Sequence, residues 1–118
     1  MAWKVEYTDE FDDWFQELDV PGQEAVERAV EVLAADGPAL GRPLADTIKR
    51  SRHANMKELR PVGTNFRILF AFDPRRTAIL LLGGDKTGRW QTWYGAMIPR
   101  ADDLYDDYLR TLREEGLL

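Results

Sequence analysis

Three strand-like runs in the second half of this chain stand too close together for anything but an antiparallel sheet. Residues 56–61 alternate apolar and polar side chains. Residues 66–72 are aromatic and β-branched at most positions, and residues 78–82 form a continuous apolar run. Pro61, Val62 and Gly63 punctuate the first gap, and Asp73, Pro74, Arg75 and Arg76 the second. A parallel crossover needs roughly a dozen residues or more, and neither gap offers them. The spacing predicts a meander.

Upstream, Trp3, Lys4, Val5, Glu6 and Tyr7 alternate as a half-buried strand. Thr8 or Asp9 can cap a helix that carries Phe11, Trp14, Phe15 and Leu18 on one face. Pro21 and Gly22 end it, and Pro21 suits the first turn of a second helix through Ala25, Val26, Ala29, Val30, Val32 and Leu33. Two such helices in succession predict a helical hairpin. Residues 38–54 read as loop, broken by Pro38, Gly41 and Pro43, with a basic cluster from Lys49 to His53. Trp90, Trp93 and Tyr94 belong to a short helix or loop, and residues 100–115 to a last helix with Leu104, Tyr105, Tyr108, Leu109 and Leu112 on one face. The expected fold is α+β in the order β-α-α-β-β-β-α, one domain over residues 1–118. The hairpin should cover one sheet face and leave the other partly open.

Composition removes several function classes. With no cysteine, disulfides and thiolate metal sites are excluded. His53, the single histidine, has no companion ligands in the sequence, so neither metal nor other cofactor is expected. The apolar run at 78–82 is far short of the roughly 20 residues of a membrane span. No apolar stretch follows Met1, so no secretory signal is expected and the cytoplasm is the default location. The net charge of −5 hides a polarity along the chain. Residues 38–100 hold twelve Lys and Arg against four Asp and Glu, whereas residues 1–37 hold two against eleven and residues 101–118 two against six. A polyanion responds to charge within about 8–10 Å, so a basic middle can bind phosphate on an acidic protein.

Alternation sorts the side chains by face. Phe66, Ile68, Phe70 and Phe72 share one face of their strand, which with Leu59 should be core. Glu58, Arg60 and Arg67 then fall on the open face, Lys57 points away from it, and Lys86 emerges at the end of the third strand with Trp93 and Tyr94 close behind. One carboxylate, two guanidiniums, an ammonium and a phenol suit metal-free RNA cleavage. That reaction needs a base for the 2′-hydroxyl, cations for the phosphorane and an acid for the leaving 5′-oxygen. Arg matches phosphate with its planar fork. Blander roles stand beside these: Glu58 as a surface ion-pair partner, Trp90 and Trp93 as core, Tyr94 under the last helix, Gly83 and Gly84 as a bulge or turn.

Residues 56–60, 66–74 and 80–86, reading MKELR, FRILFAFDP and LLLGGDK, resemble the toxins of the RelE/ParE superfamily, and within it the HigB-like, phage-derived killer-protein branch. The resemblance spans nearly the whole chain. It implies a microbial RNase fold and a type II toxin–antitoxin toxin that cleaves mRNA on the translating ribosome. It also implies a cognate antitoxin with a helix-turn-helix DNA-binding domain. Arg60, Arg67 and Lys86 match basic positions of the family, and Tyr94 or a neighbouring tryptophan its late tyrosine. The chain departs from the RelE type in carrying Met56 and Glu58 where that type has lysines. The expected catalytic set is therefore Arg67, Arg60, Lys86, Glu58 and Tyr94. Arg50, Arg52, Lys57, Arg89 and Trp93 are expected to contact RNA. Two other readings remain on the same fold: a ParE-like inhibitor of DNA gyrase that acts by binding, and a binding protein whose site has decayed.

Overall fold

Two short side chains start the helices of the N-terminal half. Thr8 Oγ1 accepts the Phe11 N–H at 3.0 Å and Asp19 Oδ1 accepts that of Gly22 at 2.8 Å, each satisfying a donor that the first helical turn leaves over. The computed structural model describes residues 2–88 and 90–118. In it, β1 (Val5–Tyr7) leads into α1 (Asp9–Gln16) and α2 (Val20–Asp36), with Pro21 in the first turn of α2. There follow β2 (Ala45–Thr47), β3 (Met56–Leu59), β4 (Phe66–Phe72), β5 (Ala78–Asp85) and α3 (Trp90–Glu114). The strands form one sheet in the order β1-β5-β4-β3-β2. From β2 to β5 they run as the antiparallel meander that the short turns require. β1 lies parallel to β5, with Val5 opposite Ala78; the intervening helices and strands supply the length that a parallel return needs.

Two elements differ from the sequence reading. β2 sits inside the stretch read as loop: three residues are too few to display alternation, and pairing with β3 is what makes them a strand. The short segment and the last helix are a single helix, α3. Pro99 within it forgoes one intrahelical hydrogen bond. Burial of Trp93 and Ile98 before it and Ala101 and Tyr105 after it keeps the two halves in line.

The sheet separates two cores. On the hairpin side, Phe11, Val26, Ala29 and Leu33 pack on Leu59, Ile68, Phe70 and Leu80. On the other, α3 covers Met56, Leu69, Ala71, Ile79 and Leu81, so the face expected to be partly open is largely roofed and open only at one end. A β-bulge shifts the pairing of β4 with β5, from Leu69 opposite Leu82 to Phe70 opposite Leu80. Leu81 and Leu82 consequently both face α3, and alternation restarts with the opposite phase. Gly83 then faces α1 and Gly84 faces α3: a Cβ at Gly83 would sit within the Trp14 ring and one at Gly84 within the Trp93 ring. These glycines are strand positions overlaid by indoles, and the bulge lies just before them.

Candidate active site

The open end of the α3 face is polar because three strands deliver their side chains to it in phase. On β3, Met56 goes under α3, so Glu58 and Arg60 follow on that face. On β4, Leu69 and Ala71 go under α3, which puts Arg67 beside them. On β5, the bulge moves the even-numbered positions from the hairpin face to the α3 face, and Lys86 arrives next to Arg67. α3 adds Tyr94.

These five side chains line one open depression of about 440 Å³. At its centre lies Glu58, whose side chain is 4% exposed. Arg60 Nε donates to Glu58 Oε1 at 2.7 Å, and its Nη2 lies 3.4 Å from Asp46, which stands opposite Glu58 on β2. Arg67 Nη1 donates to the Phe66 carbonyl at 2.7 Å. Its Nε is buried 3.8 Å from Glu58 Oε1, too far for a hydrogen bond, and meets no other acceptor among the described residues. The exposed Lys49 and Arg50 complete the wall.

The protonation equilibria follow from this crowding. Burial, then the charge of Arg67, lowers the Lys86 ammonium below the ordinary lysine range; Arg60 adds to the effect and Glu58 opposes it. Burial, then the hydrogen bond and charge of Glu58, pushes the Tyr94 phenol up to about 12 against the pull of Arg67. Desolvation works against the Arg60 guanidinium, but Glu58 and Asp46 outweigh it and hold the group above its usual value. The depression thus joins fixed cations, an amine that releases its proton more readily than most, and a phenol that keeps its own. Three cationic groups face the Glu58 and Asp46 carboxylates, with Lys49 and Arg50 beyond, so positive charge prevails and an anion is favoured. Among the described residues, no group of three His, Asp or Glu side chains is placed to hold a metal ion.

A family model described as phage-derived protein Gp49-like matches residues 13–106, most of the chain. The chain belongs to the Gp49-like family. Two Mycobacterium tuberculosis proteins are each 52% identical to this Gp49-like chain across 81% of it. One is named "Putative toxin HigB3", of which the match covers 84%; the other is named "Putative toxin HigB2", of which it covers 49%. Among solved structures, a free Escherichia coli RelE double mutant superposes with a TM-score of 0.59 over 95% of this chain and 99% of that one, at 8% identity. A chain of the archaeal RelE–RelB complex of Pyrococcus horikoshii gives 0.58 over 75% and 99%, at 13% identity. The M. tuberculosis toxin–antitoxin complex RelBE2 gives 0.57 over 72% and 99%, at 20% identity. The protein has the RelE-like fold.

Of the residues named from sequence, Arg60, Arg67, Lys86, Glu58 and Tyr94 come together in this Gp49-like protein, and Arg50 stands at the same depression. Three expected RNA contacts do not reach it. Lys57 lies on the hairpin face, 5.9 Å above the Phe72 ring and 3.5 Å from the Pro38 carbonyl, as β3 alternation requires. Arg52 is bound to carboxylates of α3, 2.9 Å from Asp103 and in contact with Asp106. Trp93 is buried against Gly84, as α3 continues through it. Arg89 lies outside the described residues. Asp46 and Lys49 escaped the sequence reading because β2 was not visible there; the basic cluster from Lys49 was the one signal pointing to this segment.

Proposed function

We propose that this protein is the toxin of a type II toxin–antitoxin system and that it cleaves mRNA on the translating ribosome. The observation that carries the reading is the gathering of Arg60, Arg67 and Lys86 with Tyr94 around the buried Glu58 carboxylate, in a depression open to solvent. Relatives named as HigB toxins and the RelE-like fold support it. RelE–RelB complexes among the structural neighbours support a cognate antitoxin, for which we propose a helix-turn-helix DNA-binding domain.

In this reading Arg60 and Arg67 bind the scissile phosphate and neutralise the charge that builds on the phosphorane. Lys86, which gives up its own proton more readily than an ordinary lysine, takes the 2′-hydroxyl proton once deprotonated. The 2′-oxygen bonds to phosphorus, the bond to the 5′-oxygen breaks, and Tyr94 gives that oxygen its proton, leaving a cyclic 2′,3′-phosphate and a free 5′-hydroxyl. The Glu58 carboxylate is the other group of the site able to act as a base. Its bond to Arg60 and its hydrogen bond with Tyr94 fit it better for holding these groups in place. The ribosome would orient the mRNA, which a shallow depression cannot do alone.

Primer extension on total mRNA after induction tests the reading. Breaks at codon boundaries with the wild type, absent with Arg67→Ala, are expected. Intact mRNA with broken chromosomal DNA would replace it with the gyrase reading. Normal growth with neither lesion would support a site without activity.

A further inference from the structure

The loop joining β2 to β3 brings two exposed cations, Lys49 and Arg50, to the depression, and the residues immediately after them are fastened to α3. Ser51 Oγ donates to Asp102 Oδ1 at 2.5 Å and accepts the His53 N–H at 2.9 Å. The Arg52 backbone N–H donates to Asp102 Oδ2 at 3.2 Å. Around this contact, the Arg52 guanidinium meets Asp103 and Asp106, and His53 Nε2 lies 2.8 Å from Asp106 with its ring edge-on to Tyr105.

Asp102 differs from its neighbours in burial: it is 3% exposed, whereas the side chains of Asp103 and Asp106 are 74% and 43% exposed. A buried carboxylate is costly unless donors surround it, and exposed ion pairs contribute little. Ile48, just before the two cations, is buried in the core under α3, whereas the residues just after them are held to α3 by polar contacts, to which both Asp102 oxygens are committed. Asp102 lies eight residues beyond Tyr94 on one helix, about 12 Å along its axis. A single rigid element therefore holds the phenol of the site directly and the cationic loop through Asp102.

We propose that Asp102 is a positioning residue: it pins the loop so that Lys49 and Arg50 stand beside Arg60 and Arg67 and grip the phosphates flanking the scissile one. The inference rests on the ribonuclease reading. Its signature is a loss that passes entirely through two other side chains.

The test compares Asp102→Asn, Ser51→Ala, Ser51→Thr, Lys49→Ala/Arg50→Ala and the triple variant with Asp102→Asn, all in the full chain. Three quantities are read: cleavage of ribosome-bound mRNA, the salt dependence of its KM, and amide hydrogen exchange at Arg52. Asp102→Asn should speed exchange at Arg52 and raise KM by the same factor as Lys49→Ala/Arg50→Ala, with kcat unchanged. In both, the slope of log affinity against log salt should flatten by about 1.4, two single-strand phosphate contacts at roughly 0.7 each. The triple variant should lose nothing more. Ser51→Ala should follow Asp102→Asn, and Ser51→Thr, which keeps the hydroxyl, should restore wild-type values. Ser51→Ala also stands as the deciding variant if Asp102→Asn does not fold. Additive losses, a fall in kcat at constant KM, or unchanged exchange at Arg52 overturns the proposal. Absence of cleavage by the wild type takes down the ribonuclease reading and the RNA role of the loop with it. In that case, fast Arg52 exchange in Asp102→Asn still establishes the clamp as a structural fact.

Discussion

Two buried carboxylates on the same side of the sheet each hold an arginine, and they could hardly be put to more different use. Glu58 is surrounded by Arg60, Arg67, Lys86 and Tyr94, a surplus of positive charge beside an open depression. Asp102 belongs to an acidic turn of α3, where it shares the Arg52 guanidinium with Asp103 and Asp106. An ion pair satisfied from within has nothing left for a ligand. An ion cluster with cations to spare does, and Arg67 Nε, buried without an acceptor among the described residues, belongs to the second kind. The count of charges around each carboxylate, more than the presence of arginine, separates a binding site from a brace. The same count explains why Arg52, as basic as Arg50 two positions before it and also exposed, is tied to carboxylates of α3 while Arg50 lines the depression.

Substitutions can break this contrast. The largest effect is expected from Arg67→Ala, which removes a phosphate-neutralising group: kcat for mRNA cleavage should fall by about 10²–10³, with loss of toxicity and an unchanged circular dichroism spectrum. A fully toxic, well-folded Arg67→Ala would show that the cationic surplus is not the site. Next, Glu58→Ala leaves the partly buried Arg67 without its carboxylate and Arg60 with Asp46 alone, and should cost about 3 kcal/mol in urea unfolding. If that cost is absent, Glu58 is not the anchor of its cluster.

A smaller effect comes from pH. The folded phenol of Tyr94 ionises at about 12 rather than its ordinary 10, so its contribution to stability is complete below pH 10 and is lost as pH rises toward 12. Thermal melts of Tyr94→Phe should therefore decline less across that interval than those of the wild type; parallel declines would mean that Tyr94 is not held protonated by its surroundings. The smallest effect belongs to the acidic brace. Arg52→Ala, with a side chain half exposed, should leave both growth arrest and the urea midpoint where they were. A loss of toxicity there would return Arg52 to the RNA-binding set.

Much of the site was legible because strand geometry is strict. Once Phe66, Ile68 and Phe70 are assigned to the core, Arg67 has to face the other way, and Leu59 does the same for Glu58 and Arg60. Lys57 was placed correctly by that rule on the face away from the site. The rule does not reach Lys86. Its direction depends on an extra residue in β5 opposite the Leu69–Phe70 step, and a run of identical leucines carries no mark of where a bulge falls. The sequence leaves Trp93 both a core role and an RNA contact; its burial against Gly84, which exists only once α3 lies across the sheet, favours the core role.

The sequence by itself determined β1, the two helices of the hairpin, the three strands of the meander and the faces of β3 and β4, because turn residues and the two-residue period act within a few positions of chain. The tertiary structure alone decided the parallel docking of β1 and the pairing of β2. It also decided the phase of β5 past its bulge and which arginine of the basic cluster is tied to α3. Each of those depends on residues far apart in the chain meeting in space, and local pattern carries no information about the partner.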